Sequence, residues 1–323
     1  MTSPHSSLPL KPVAVACAGI AIYSGMDAIM KSLSIELGAY NALLWRTICG
    51  VVLLAPLFAL RVRRIPDRHT MFLHLGRSIA GSISVLLFFW GLVRVPLAQG
   101  IALSFIAPLI ALGLASLFLK ERIGKRAISG SLFAFAGVMV ILAGQSGAGS
   151  EAGSIEGAIA ILVASVLYAV NLVIGRRQSL HAGPIEVALA FNLIAACMYL
   201  FVVTVGAHLY MFASPADADA IAANWLPHLP DPALWPMIIL AAIVGAGAIM
   251  LLSWAYARAE AQRLVAVEYT AFIWAVLLGW WVFGEHVLPT TLLGAAMIVA
   301  GCLWAARQLP AHSRSHAEPE PIP

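Results

Sequence analysis

Ten apolar runs dominate this chain: 12–33, 41–60, 74–93, 97–119, 127–144, 157–175, 185–207, 235–257, 264–283 and 288–306. A helix needs about 20 residues to cross about 30 Å of hydrocarbon, and each run is close to that length. The runs lack the alternation of a β-barrel wall, and lipid offers no partner to unpaired backbone groups. They therefore predict an all-α integral membrane protein with ten transmembrane helices. Composition agrees, since 61% of the 323 residues are hydrophobic and 11% charged, against about a quarter charged in soluble domains. The first run follows eleven mostly polar residues and exceeds a signal-peptide core, with no small-residue cleavage site behind it, so it reads as a retained helix. Cys17, Cys49, Cys197 and Cys302 each sit inside a run without CxxC pairing, which argues against a disulfide framework or a zinc site. The isoelectric point near 9.0 does not point to nucleic acid, because the basic residues form no continuous stripe.

Basic residues set the expected orientation. With the N-terminus inside, 15 of the 19 fall on the cytoplasmic side: Lys11, Arg61, Arg63, Arg64, Arg68, Lys120, Arg122, Lys125, Arg126, Arg176, Arg177, Arg258, Arg263, Arg307 and Arg314. Only Arg94 falls in an opposite loop, and Lys31, Arg46 and Arg77 lie within runs. The opposite loops carry Glu36, Glu151, Glu156, Asp217, Asp219, Asp231 and Glu285. Both termini are thus expected in the cytoplasm. The segment 208–234 reads as an irregular external cap with room for a short interfacial helix, and the tail 307–323 as disordered.

The sequence also matches itself. At an offset of 145, Tyr23 meets Tyr168, Lys31 meets Arg176 and Gly38 meets Gly183. At an offset of 164, Arg94 meets Arg258, Phe105 meets Tyr269, Glu121 meets Glu285, Gly130 meets Gly294 and Gly137 meets Gly301. Five helices repeated as five enter the membrane from opposite sides, the inverted plan by which secondary transporters place a site near mid-membrane. The expected units are 12–144, helices 1–5, and 157–306, helices 6–10.

These residues resemble the EamA-type repeats of the bacterial drug/metabolite transporter superfamily. The resemblance is carried by SFIAPLIALGLASLFLKERIGKRAISGSLFAFAGVMVI at 104–141 and VEYTAFIWAVLLGWWVFGEHVLPTTLLGAAMIVAGCLW at 267–304, with Arg46 and Arg77 matching arginines of one branch. It covers everything but the tail. It implies ten helices, a central cavity lined mainly by helices 1, 3, 4, 6, 8 and 9, and transport without ATP. Ala271-Phe272 stands where relatives often carry Glu-Pro, so no role of that pair passes to this chain.

Charge at membrane depth is costly and marks pathways or pairs. Asp27 and Lys31 lie four apart on helix 1, which allows either a mutual ion pair or a cavity-facing couple for the two ends of a zwitterion. Arg77 on helix 3 is a candidate for a substrate carboxylate or phosphate, whereas Arg46 is read as snorkelling to the interface. Glu268, with Tyr269 and Thr270 beside it, is read as cavity-facing or as a staple to Arg258 or Arg263. Gln99, Ser104 and Asn171 are further candidate contacts, and Asn192 reads as structural glue. Trp90 and Trp254 are candidates for stacking on substrate, with Trp274 also on a cavity helix. Trp45, Trp235 and Trp304 read as interfacial anchors. Gly130, Gly137, Gly294 and Gly301 read as close-packing positions between helices or between subunits of a homodimer. Glu121 and Glu285 read as helix-start carboxylates with an architectural role.

The expected function is secondary-active transport, in the export direction, of a small polar organic metabolite such as an amino acid or related zwitterion by alternating access. Uptake of riboflavin or S-adenosylmethionine is the alternative, and a channel or structural membrane subunit the reading from another class. No HExxH, GxSxG or Walker motif points to an enzyme, and no cofactor, metal or nucleic acid is expected. The expected partners are the small-molecule substrate and the lipid bilayer, and the expected location is the bacterial inner membrane.

Overall fold

A computed structural model describes residues 10–62, 66–107, 109–111, 113–114, 125–147, 154–178, 181–212, 226–256 and 269–306. Among them the regular structure is helical: α1 (Leu10–Arg61), α2 (Arg68–Leu92), α3 (Leu97–Ser104), α4 (Lys125–Gly147), α5 (Ile155–Gln178), α6 (Pro184–Phe212), α7 (Trp235–Tyr256), α8 (Ala271–Phe283) and α9 (Pro289–Ala306). Five of these are long and apolar enough to cross a membrane.

The first element departs from the sequence reading. The runs 12–33 and 41–60 leave 34–40 as an external connection, yet helix continues up to one break at Gly38, whose φ is 77° and ψ 149°. No strong helix breaker stands in Ser34–Leu37, so the helix runs on until a residue without Cβ can take a positive φ. A straight helix would put Met26 and Arg46 about 30 Å apart. Both instead abut Gly245 of α7, where an added Cβ would lie 3.1 Å from the Arg46 guanidinium and 3.6 Å from Met26 Cγ. The arms 10–37 and 39–61 therefore fold back on each other.

A second break falls in α3. The helix stops at Ser104, Phe105 and Ile106 turn, and residues 107, 109–111 and 113–114 are again helical. Pro108 has no N–H for the carbonyl of Ser104 and disfavours helix just before it. Likewise α8 begins only after the turn residues Tyr269 and Thr270, which the self-match sets against 105 and 106.

Packing follows small residues. On α4 and α9, a Cβ at Gly137 would lie 2.6 Å from the carbonyl of Gly294, and one at Gly301 would lie 2.5 Å from that of Gly130. The four glycines thus bring two helices of one chain together, which answers the choice between helix and subunit contact. A Cβ at Gly91 of α2 would similarly meet the Gly157 carbonyl of α5 at 2.5 Å. Met30, Leu33, Leu43, Leu44, Phe89 and Leu103 fill the centre, all but sealed. Large apolar side chains such as Phe72, Val52 and Trp281 face outward, as a lipid-facing surface requires.

Of the expected cap 208–234, residues 213–225 lie outside the described residues. Helix α6 continues to Phe212, past the expected end at 207. Within 226–234 the only regular piece is a three-residue 3₁₀ turn, Pro232–Leu234, capped by the Asp231 carboxylate accepting from Ala233 N at 2.8 Å. Asn41 Nδ2 donates to the Leu226 carbonyl at 3.3 Å and Trp45 Nε1 to that of His228 at 2.9 Å, seating this segment over the Gly38 end of the bundle. Trp45 and Trp235 meet edge to face at 5.4 Å.

Candidate functional site

Polar ties lie toward both ends of the bundle. At the Gly38 end, Lys31 Nζ pairs with Glu285 Oε1 and donates to the Val95 carbonyl at 2.9 Å. The other carboxylate oxygen of Glu285 accepts from Leu97 N at 2.7 Å, at the start of α3. Local sequence sets this up. Gly284 takes a left-handed φ of 64°, ends α8 and turns Glu285 back over it, with Glu285 N donating to the Gly279 carbonyl at 3.0 Å. Gly279 leaves the room, since a Cβ there would stand 2.9 Å from Glu285 Oε2. One carboxylate thereby joins α1, α3 and the α8–α9 connection. Two expectations change. Lys31 does not pair with Asp27, and Glu285 is a cross-helix anchor, because the Gly284 turn puts it before α9 and beneath Lys31.

At the opposite end, Arg77 Nε donates to Asn171 Oδ1 at 3.2 Å and its NH1 to Gln178 Oε1. Gln178 in turn bonds His74, and His74 Nε2 lies 3.0 Å from Glu186 Oε1. This chain of side chains links α2, α5 and α6. Arg77 is drawn there because Gly175 leaves space beside its guanidinium, 3.2 Å from an added Cβ.

Between the two ties lies a pair of charges with no such commitment. Asp27 is 6% exposed and Arg46 5%, about 16 and 12 Å along their arms from Gly38. They interact electrostatically, yet no hydrogen bond or ion pair to either side chain occurs among the described residues, where an ion pair means 4.0 Å or less. Arg46 Nε is buried without a partner. The snorkelling expected of Arg46 is therefore not what the structure has: the folded-back arm points the guanidinium inward against Gly245. Tyr23 is within electrostatic reach of Asp27, Arg46 and Arg77, and Tyr199 of Arg46. Tyr199 is fixed by its hydroxyl donating to the Ser82 carbonyl at 2.9 Å, and Tyr40 by donating to the Tyr199 carbonyl at 2.8 Å.

The remaining candidates divide. Gln99 is buried with Oε1 unpartnered among the described residues. Tyr269 is buried and meets Phe105 edge to face at 5.0 Å. Ser104 is satisfied on its own helix, donating to the Ile101 carbonyl at 2.7 Å. The face of Trp90 is taken by the Arg94 guanidinium at 3.6 Å. Trp254 packs with Ala16, Ile20 and Ala255. Asn192 donates to the Ala188 carbonyl at 2.8 Å. Glu268, Glu121, Arg258 and Arg263 lie outside the described residues. The sequence reading missed Arg46 as an inward charge; no local signal marks it, because the glycine its guanidinium packs against, Gly245, lies on another helix.

Comparison with known proteins adds the following. The profile of the EamA-like transporter family matches residues 10–143 and again 155–307. A riboflavin transporter of Brucella anthropi is 26% identical over 84% of this chain and 89% of its own. A pseudopaline exporter of Pseudomonas aeruginosa is 21% identical over 88% and 92%, respectively. A probable terminal-alkyne amino-acid exporter of Streptantibioticus cattleyicolor is 27% identical over 84% and 85%. A solved crystal structure shares the fold at a TM-score of 0.58 and 19% identity, covering 94% of this chain and 100% of the other.

Proposed function

The chain belongs to the EamA-like transporter family of the drug/metabolite transporter superfamily, and from that premise we propose that it is a secondary-active carrier built from inverted five-helix halves. The halves are 12–144 and 157–306, in ten membrane-spanning helices, with both termini in the cytoplasm of a bacterium and the chain in its inner membrane. The observation that carries this reading is the way self-matched residues meet. Phe105 touches its own counterpart Tyr269, as residues on a pseudo-two-fold axis do. The contact of Gly130 with Gly301 becomes that of Gly294 with Gly137 when each residue is replaced by its match. The Lys31–Glu285 tie crosses from one half to the other, and the matching positions are Arg176 and Glu121.

The cargo of this reading is a small organic zwitterion, an amino acid or a relative of one, moved outward. Two of the similar proteins are named as exporters, one of them for an amino acid. The second reading, uptake of riboflavin, is favoured by the relatives of that name. Asp27, Gln99, Arg77, Asn171 and Tyr269 are the side chains assigned to the pathway, while Lys31 serves as a closure. Alternating access follows from two halves that rock about the axis, each state closing one end.

The test is counterflow in proteoliposomes carrying the purified chain. Preloading with unlabelled amino acid is expected to accelerate entry of the labelled compound, and entry is expected to saturate. Flux that rises linearly with concentration and ignores the trans compound identifies a pore instead. Riboflavin counterflow in place of amino-acid counterflow establishes the second reading.

A further inference from the structure

We propose that Asp27 and Arg46 are the two poles of one binding site, Asp27 receiving the ammonium and Arg46 the carboxylate of an α-amino acid or of a conjugate that keeps both groups. The inference rests on the carrier reading and assigns its cargo by charge.

Burying an isolated charge is expensive, and a chain ordinarily offsets it with a partner. The other described in-span cations obey that rule. Lys31 has Glu285 and the Val95 carbonyl, and Arg77 has Asn171 and Gln178. Arg46 alone among these three has neither hydrogen bond nor ion pair among the described residues, although it is more than nine-tenths buried. Asp27 is buried to the same degree and equally uncommitted. The two feel each other's charge but form no ion pair, so neither is neutralised by the other or by another described side chain.

A molecule with a positive and a negative end supplies both missing partners at once. Because Asp27 and Arg46 stand on opposite arms of α1, such a molecule bridges the fold at Gly38. A planar guanidinium suits a carboxylate with two parallel hydrogen bonds. Gly245 lets that guanidinium pack against bare backbone, 3.1 Å from where a Cβ would stand, which fixes its place inside the bundle. Met26 borders the same glycine, its Cγ 3.6 Å from where a Cβ would stand, which favours an amino acid with an apolar side chain.

The test uses the full chain purified in detergent and three labelled or competing probes: L-phenylalanine, L-phenylalaninamide without the carboxylate, and 3-phenylpropanoate without the ammonium. The wild-type chain is expected to bind phenylalanine about tenfold or more tightly than either analogue. Arg46→Gln is expected to lose discrimination against the amide, and Asp27→Asn against 3-phenylpropanoate. Both ligand-free variants are expected to unfold at or above the wild-type temperature, because each removes a buried charge that has no protein partner. Equal binding of the three probes, or no binding of phenylalanine, overturns the assignment on the wild type alone. So does a variant that keeps full discrimination, or one that unfolds well below wild type, which marks a structural charge. Counterflow separates the two proposals. Phenylalanine binding without exchange refutes the carrier and leaves the charge site, whereas exchange only of solutes lacking either charge refutes the charge site and leaves the carrier.

Discussion

Glu285→Gln is expected to lower the exchange rate at least tenfold and to destabilise the chain by about 3 kcal/mol, the scale on which breaking a buried ion pair acts. The Lys31 side chain is 4% exposed and that of Glu285 18%, so the ammonium left behind loses its counter-charge and keeps a neutral amide oxygen, the Val95 carbonyl and the ring of Phe283, 4.9 Å away. Lys31→Met is expected to cost less stability, since Glu285 still accepts from Leu97 N. This asymmetry identifies Glu285 as the hub. Both variants are expected to impair exchange, because closure of the Gly38 end is lost in either. The checks are thermal unfolding in detergent and counterflow at matched protein content. Equal stability of the two single variants, or wild-type exchange in both, removes the tie from the mechanism.

Gly137→Leu is expected to have the largest effect on folding. A Cβ at this position already meets the Gly294 carbonyl at 2.6 Å and Met297 Cβ at 2.9 Å, and neither a backbone carbonyl nor a Cβ can swing aside. Helices α4 and α9 must separate, losing the close contact on which association in lipid depends, where no hydrophobic force substitutes for packing. A loss of about 3 kcal/mol or more follows from overpacking at a rigid contact. Gly301→Leu is expected to match it, given 2.5 Å to the Gly130 carbonyl. Gly247→Leu is the control, because nothing lies within 4 Å of an added Cβ there. Unfolding temperatures of the three variants decide the matter, and equal values contradict the packing account.

Much of this architecture was legible in the sequence because lipid imposes a length and a composition that no other solvent does. The runs 74–93, 157–175 and 288–306 fall within or across α2, α5 and α9, and the matched glycines foretold a tight helix pair. What sequence left unresolved depended on where one residue turned the chain. Gly38 and Gly284 each hold a positive φ. The first shortens the expected connection 34–40 between two antiparallel helices to a single break, and the second swings Glu285 from a helix start to the partner of Lys31. Periodicity carries no record of either, since the face a charge presents depends on the direction of its helix after the break. Arg46 was read as snorkelling because it lies near the end of its run, and an Asp27–Lys31 pair was weighed beside a cavity-facing couple because four-residue spacing is visible in sequence while a partner 254 residues away is not. The uncommitted charges emerged only once Lys31 and Arg77, the other described in-span cations, had been matched with their acceptors.

The central claim is that the region around Asp27 and Arg46 is reached from the two sides of the membrane in turn. A single cysteine at Ser24, one turn before Asp27 and buried here, tests it in a chain whose own Cys17, Cys49, Cys197 and Cys302 are replaced. A membrane-impermeant thiol reagent added to right-side-out or to inverted vesicles is expected to label it from either side, with saturating cargo slowing both reactions. Labelling from one side only, or from neither, contradicts the account.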